Sequence, residues 1–217
     1  MPVKRLATAK TRLAAYGDEL RQELALAFAA DVVLAALHCP QVARVVAVTD
    51  DARAAAALRA LGADVVADVP DAGLNAALRH GEQELRAVLP GCGVATVSSD
   101  LPSLRPGDLG AALAVVPPAG RAFVPDADRL GTTLLAAAPG AALAPAYGAG
   151  SRRRHAASGA LELAGTAALR RDVDTPADLA QAVALGVGPH TAAVVARTPP
   201  LRAHPTGTGR DGDTMGA

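Results

Sequence analysis

The chain has 217 residues, of which 51% are hydrophobic and 2% aromatic, with no Trp. Lys plus Arg and Asp plus Glu total 21 each. Such a chain can bury one aliphatic core, but its balanced charge excludes the net basic surface that non-specific nucleic-acid binding needs. It gives no sign of attraction to an anionic membrane. No apolar run approaches the ~18 residues that would span a bilayer, and the N-terminus lacks a signal-peptide pattern. Cys39 and Cys92 lie outside any CxxC pattern and read as two reduced thiols. The expectation is a cytoplasmic protein.

Met1 to Val3 reads as the last residues of a first strand. Asp18 to Leu37 predicts a helix from its apolar positions at three- and four-residue spacing. Arg44 to Thr49 predicts a buried strand, closed by Asp50-Asp51. Asp51 is placed to cap an Ala-rich helix that ends at Gly62. Ala63 to Ala67 is the next strand, Leu74 to Leu89 a helix, and Gly93 to Val97 a strand leading into Ser98-Ser99-Asp100-Leu101-Pro102. Pro106 opens a further helix. Strands are expected at Arg121 to Val124 and Thr132 to Ala137, and helices at Arg152 to Ser158 and Pro176 to Leu185. Alternating strands and helices indicate an α/β domain with a mainly parallel, doubly wound sheet over residues 1–196. Pro and Gly break the periodicity from about Thr198, so residues 197–217 are expected to form a disordered tail.

The chemistry-bearing residues fall into three groups. The first is acidic. Asp172 and Asp174 stand one residue apart, and extended backbone would point both to one side. Two carboxylates held that close repel unless a cation or shared proton lies between them. Asp100 follows a predicted strand, where open α/β sheets bind ligands. Three carboxylates suit magnesium with water and phosphate in the remaining positions. Each also fits a turn or helix cap, Asp174-Thr175-Pro176 most plainly. The second group is basic: Lys4, Arg5, Lys10 and Arg12 cluster in the loop after the first strand, the favoured phosphate site of such a sheet. The third runs from Gly131-Thr132-Thr133 to the Gly-rich turn Tyr147-Gly148-Ala149-Gly150-Ser151. There, backbone amides at a helix start suit a carboxylate or phosphate. Asn75, at another helix start, carries both a donor and an acceptor for a base edge. His155 reads as structural. GxxxxGK[ST], GxSxG and zinc-ligand patterns are all absent from the sequence.

An ordered set of motifs then stands out. It comprises Pro2-Val3-Lys4, Ala9-Lys10-Thr11-Arg12-Leu13, Val48-Thr49-Asp50, Gly73-Leu74-Asn75 and Ser99-Asp100-Leu101-Pro102. It continues with Gly131-Thr132-Thr133-Leu134-Leu135, Ser151 with His155 and Ser158-Gly159-Ala160, and Asp172-Val173-Asp174-Thr175-Pro176. Over residues 1 to about 195 the chain resembles the guanylyltransferases of coenzyme F-420 biosynthesis. The resemblance implies a single-domain nucleotidyltransferase fold of the GT-A-like, Rossmann-like type. It implies GTP and a three-carbon phosphoacid as substrates, with pyrophosphate released. Of the phosphoacids, phosphoenolpyruvate is the one expected in a high-GC bacterium; 2-phospho-L-lactate and 3-phosphoglycerate are the alternatives. Carried over motif by motif, Asp100, Asp172 and Asp174 hold Mg2+. Thr133, Gly148 and Ser151 bind the acid's carboxylate, and Lys4, Lys10 and Arg12 serve the triphosphate. Arg129-Leu130 depart from the Gly-Thr usual before Gly131 in this family. Two other readings remain open: a sibling nucleotidyltransferase acting on a sugar or cofactor phosphate, and a non-catalytic nucleotide-binding protein. Oligomeric state is not legible.

Overall fold

The computed structural model describes residues 1–69 and 71–197. The expected tail therefore lies outside the described residues, Arg197 excepted.

Fifteen elements follow one another along the described chain. A 3-10 helix, Thr11–Tyr16, precedes α1 (Asp18–Leu37). Then come β1 (Val46–Val48), α2 (Ala52–Ala60), β2 (Asp64–Val66), α3 (Leu74–Val88), β3 (Val94–Val97) and α4 (Pro106–Ala114). The hairpin β4 (Arg121–Pro125) and β5 (Thr132–Ala137) leads to α5 (Ser151–Ala157), β6 (Leu161–Glu162), α6 (Ala167–Arg170), α7 (Pro176–Leu185) and α8 (Pro189–Val195).

The sheet is split. β1 and β2 pair in parallel, and Pro2 adds a parallel bridge to Val48. The larger part has the order β3-β5-β4-β6. β5 runs antiparallel to both β3 and β4, whereas β6 runs parallel to β4. In this larger part β5 is thus the one reversed strand. The reason is local: the few residues between β4 and β5 can close a hairpin but cannot carry a crossover.

Caps are placed as the side chains dictate. Asp51 accepts from the Ala54 amide at the start of α2. At α7 the cap is Thr175, whose hydroxyl accepts from Asp178 N–H while Asp178 reaches back to the Thr175 amide, with Pro176 in the first turn. Asp174 is therefore not the cap of α7, and its carboxylate is left for other work. α8 is held from far along the chain. Asp31 of α1, 4% exposed, accepts from the amides of His190 and Thr191 at 3.0 and 2.9 Å. The main core joins α1, α2, α4, β1 and the first loop through residues such as Leu6, Val32, Ala47, Leu58 and Leu101. Phe28, Val173 and Leu179 centre a second cluster under α7 and α8.

Candidate active site

The loop after the first strand is held from behind. Arg21, 4% exposed, donates to the carbonyls of Leu6, Ala7 and Ala9, and Asp18 pairs with the same guanidinium. The Leu6 amide is taken by Asp51. This scaffold fixes Lys10 in a left-handed conformation, φ 54°, a strain that non-glycine residues bear mainly where surrounding structure enforces it.

Lys10 then turns into the carboxylates. Its Nζ donates to Asp100 Oδ2 and, at 2.7 Å, to Asp174 Oδ1. Arg12 NH1 approaches Asp174 Oδ2 at 3.9 Å from the solvent side. Asp100 and the Asp172–Asp174 segment are joined through the backbone, because Val173 N–H donates to Asp100 O at 3.0 Å. Val173 is fully buried, so the side chain between the two acids anchors them in the core. Burial by itself would lower the Lys10 pKa, but Asp100 and Asp174 outweigh it and raise it. Asp172 is pushed up to about 7, first by burial and then by Asp100, Asp174 and Asp126.

The carboxylates of this group are the oxygen donors that a divalent cation takes. Asp100 Oδ1 is buried with no hydrogen-bond partner, and the repulsion on Asp172 is what a second positive charge would relieve. The Asp100, Asp172 and Asp174 oxygens are not drawn together as tightly as those of a second acidic group. Asp50, Asp68 and Asp71, on loops after β1 and β2, place three oxygens within 4.8 Å of one another. Arg5 approaches Asp50 at 3.6 Å there. This second cluster is partly exposed.

The hydroxyl-rich segment abuts the acids. Ser98 N–H, two residues before Asp100, donates to Thr133 O. Thr133 is the extra residue of a β-bulge: Val124 pairs with Leu134 but Pro125 pairs with Thr132. Its hydroxyl lies 3.4 Å from Val124 O. Thr132 points instead to Ser151 and His155 (Ser151 Oγ donates to Thr132 Oγ1 at 3.2 Å, and His155 Nδ1 lies 2.9 Å from it). His155 Nε2 accepts from Ala146 N–H at 3.0 Å. An amide can only donate, so Nδ1 carries the proton and Thr132 Oγ1 accepts it. Burial, then Arg121 and Arg154, lower the His155 pKa to about 4, which keeps the ring neutral. Gly148 has φ +119°, and a side chain there would press on the Arg154 guanidinium.

The structure thus brings Lys10, Arg12, Asp100, Asp172 and Asp174 together, with Thr133 alongside. Lys4 is exposed in the same loop. Asn75 is differently engaged: its amide donates to Tyr147 O at 3.1 Å and accepts from Tyr147 N–H at 2.8 Å. In this conformation it clips α3 to the Gly148–Ser151 turn rather than presenting a free edge. Asp126 was not singled out from sequence. It accepts from the amides of Leu130 and Gly131 at 2.8 and 2.6 Å, shaping the loop before Thr133. Its Pro-Asp-Ala-Asp context was the available signal. Arg21 was missed because a helical Arg looks solvated until the fold closes over it.

Comparison with known proteins shows the family and the fold. A family model described as "Guanylyl transferase CofC like" matches residues 1–195. A phosphoenolpyruvate guanylyltransferase of Thermomonospora curvata is 59% identical over 201 residues, covering 92% of this chain and 88% of the relative. One of the same name from Streptomyces coelicolor is 59% identical over 200 residues, covering 91% and 94%. Among solved structures, a nucleotide-diphospho-sugar transferase from Desulfovibrio desulfuricans aligns with TM-score 0.59 over 80% of each chain at 20% identity, which shows the shared fold. By its family match and by these relatives, the chain belongs to the CofC-like guanylyl transferases.

Proposed function

We propose that this chain is a phosphoenolpyruvate guanylyltransferase of coenzyme F-420 biosynthesis. An oxygen of the phosphoenolpyruvate phosphate attacks the α-phosphorus of GTP, the bond from the α-phosphorus to the bridging oxygen breaks, and pyrophosphate leaves. The product is enolpyruvoyl-2-diphospho-5'-guanosine. The observation that carries this reading is the joining of Lys10 to Asp100 and Asp174 beside the Thr133 bulge, in a chain 59% identical to relatives of that name.

Both substrates are polyanions, so their approach is the main barrier. Asp100, Asp172 and Asp174 would hold Mg2+, which when bound would offset that repulsion and polarise the phosphate oxygens. Lys10 and Arg12 stabilise the charge that gathers on the leaving pyrophosphate, and Lys4 extends the same positive edge. Thr133, Gly148 and Ser151 receive the carboxylate. No general base is needed, since a phosphate dianion is already nucleophilic. Asn75 acts on the nucleotide side by fixing the start of α3. The reading is tested by supplying GTP and Mg2+ with phosphoenolpyruvate, 2-phospho-L-lactate or 3-phosphoglycerate and identifying products by mass spectrometry. The phosphoenolpyruvate adduct is expected to dominate. Pyrophosphate release with only another acid, or with none, would overturn it.

A further inference from the structure

Lys10 carries two assignments that one side chain cannot fill at once. The proposed reaction sets its ammonium on the leaving pyrophosphate. In the structure the same ammonium donates to Asp100 Oδ2 and Asp174 Oδ1, and so stands between two of the acids assigned to Mg2+. A dication on these carboxylates and an ammonium bonded to them repel each other at close range. One of the two positive charges has to leave.

The surroundings leave one part free to move. The Lys10 backbone is held: Arg21 gathers the carbonyls of Leu6, Ala7 and Ala9 just before it. The 3-10 helix Thr11–Tyr16 begins just after it, with Leu13 N–H donating to Lys10 O at 2.8 Å. The acids are held too, because Val173 is fully buried and its N–H is bonded to Asp100 O. What can turn is the four-carbon stem of Lys10. Asp174 is itself half exposed, which leaves the ammonium an open way out. On that side stands Arg12, 73% exposed and no nearer than 3.9 Å to Asp174. Residue type agrees. Of the 21 Lys and Arg residues only two are Lys, at positions 4 and 10. The cation between these acids is therefore a compact charge on a flexible stem, not a guanidinium fork suited to lock a carboxylate bidentately.

We propose that Lys10 is an exchangeable counterion: it holds Asp100 and Asp174 in place until a divalent cation replaces it there, and its ammonium then turns outward, beside Arg12, to the triphosphate of the nucleotide. Lys10 thus positions the acids in the free chain and is a phosphate ligand in the loaded one. Metal binding is thereby coupled to delivery of the cation that the leaving group needs. The metal affinity of the free chain is lowered by the fraction of molecules in which Lys10 occupies the acids. The delivery half rests on the guanylyltransferase reading above; the exchange half does not.

Having only two lysines makes the test direct. With an isotopic label at the lysine ε-carbons the chain gives two methylene signals in a magnetic resonance spectrum, and a Lys4→Arg variant tells them apart. Without metal, Lys10 is expected to show the inequivalent methylene protons of a held side chain, and Lys4, which is exposed, the sharp signal of a free one. Saturating Mg2+, with saturation read by calorimetry, is expected to shift the Lys10 signal and make it as mobile as that of Lys4. GTP added with Mg2+ is expected to hold it again. In calorimetry Lys10→Met is expected to bind Mg2+ about tenfold more tightly than the parent. Arg12→Met removes a nearby charge outside the hydrogen-bonded bridge and is expected to change that affinity by less than about threefold. A Lys10 signal still held at saturating Mg2+, no Mg2+ binding to Lys10→Met, or equal gains in affinity from the two variants would overturn the exchange. Release by Mg2+ without recapture by GTP would leave the exchange standing and overturn the delivery of Lys10 to the triphosphate.

Discussion

Lys10 stands where the charges of the site meet. Its ammonium bridges Asp100 and Asp174, so removing one acid leaves the other bonded. Asp100→Asn is expected to cut pyrophosphate release by about a hundredfold or more while the melting temperature stays close to that of the parent. Parent-like turnover at saturating Mg2+ would remove Asp100 from the metal set. His155 shows what burial does to a neutral ring. Its folded pKa of about 4 lies below the ordinary value of 6.5. Between those values the unfolded chain binds a proton that the folded one does not, so stability falls as pH drops from 6.5 toward 4. In His155→Phe that part of the pH dependence is expected to vanish in urea unfolding measured at pH 5 and pH 7.5. The variant also leaves Ala146 N–H without its acceptor and Thr132 Oγ1 with Ser151 but not His155, so it should be less stable at neutral pH.

The loop after the first strand owes its shape to an element that does not contact the proposed reaction. Arg21 of α1 gathers three loop carbonyls, which turns the opposite side of the loop toward Lys10 and the acids. Arg21→Met removes those donors but keeps much of the aliphatic stem. It is expected to raise KM for GTP more than it lowers kcat, since it loosens Lys10 and Arg12 without removing them. Steady-state kinetics at varied GTP decides this, and an unchanged KM would make Arg21 purely a stability residue. α8 depends on Asp31 in a similar way. Asp31→Ala leaves one buried and one partly buried amide without their acceptor and is expected to cost about 1–3 kcal/mol in denaturant titration. Amide exchange should rise first in Pro189–Val195. The cap of α7 illustrates the limit of local reading. Asp174-Thr175-Pro176 offers two residues suited to capping, and sequence alone cannot choose between them. Thr175 took the role because Asp178 completes a reciprocal pair with it.

At the scale of the molecule, motif order and strand-helix alternation were enough to place the α/β class, the family and most elements, because those signals are short-range: apolar runs, Gly and Pro stops, and Asp caps such as Asp51. The elements not foreseen are short or held from a distance. β6 has two residues, α6 has four, and α8 is fastened to α1 across about 160 positions. The reversal of β5 was implicit in the short link from Pro125 to Thr132, but the bulge at Thr133 required the register of both strands. Residue types alone set which positions carry charge, hydroxyl or turn, and hence which chemistry was available. Folding settled the rest: Val173 anchors the acids to Asp100, Lys10 bridges Asp100 and Asp174, and Asn75 is occupied by Tyr147. Those outcomes depend on which distant groups meet when the core closes, and burial then sets both their charge and their partners.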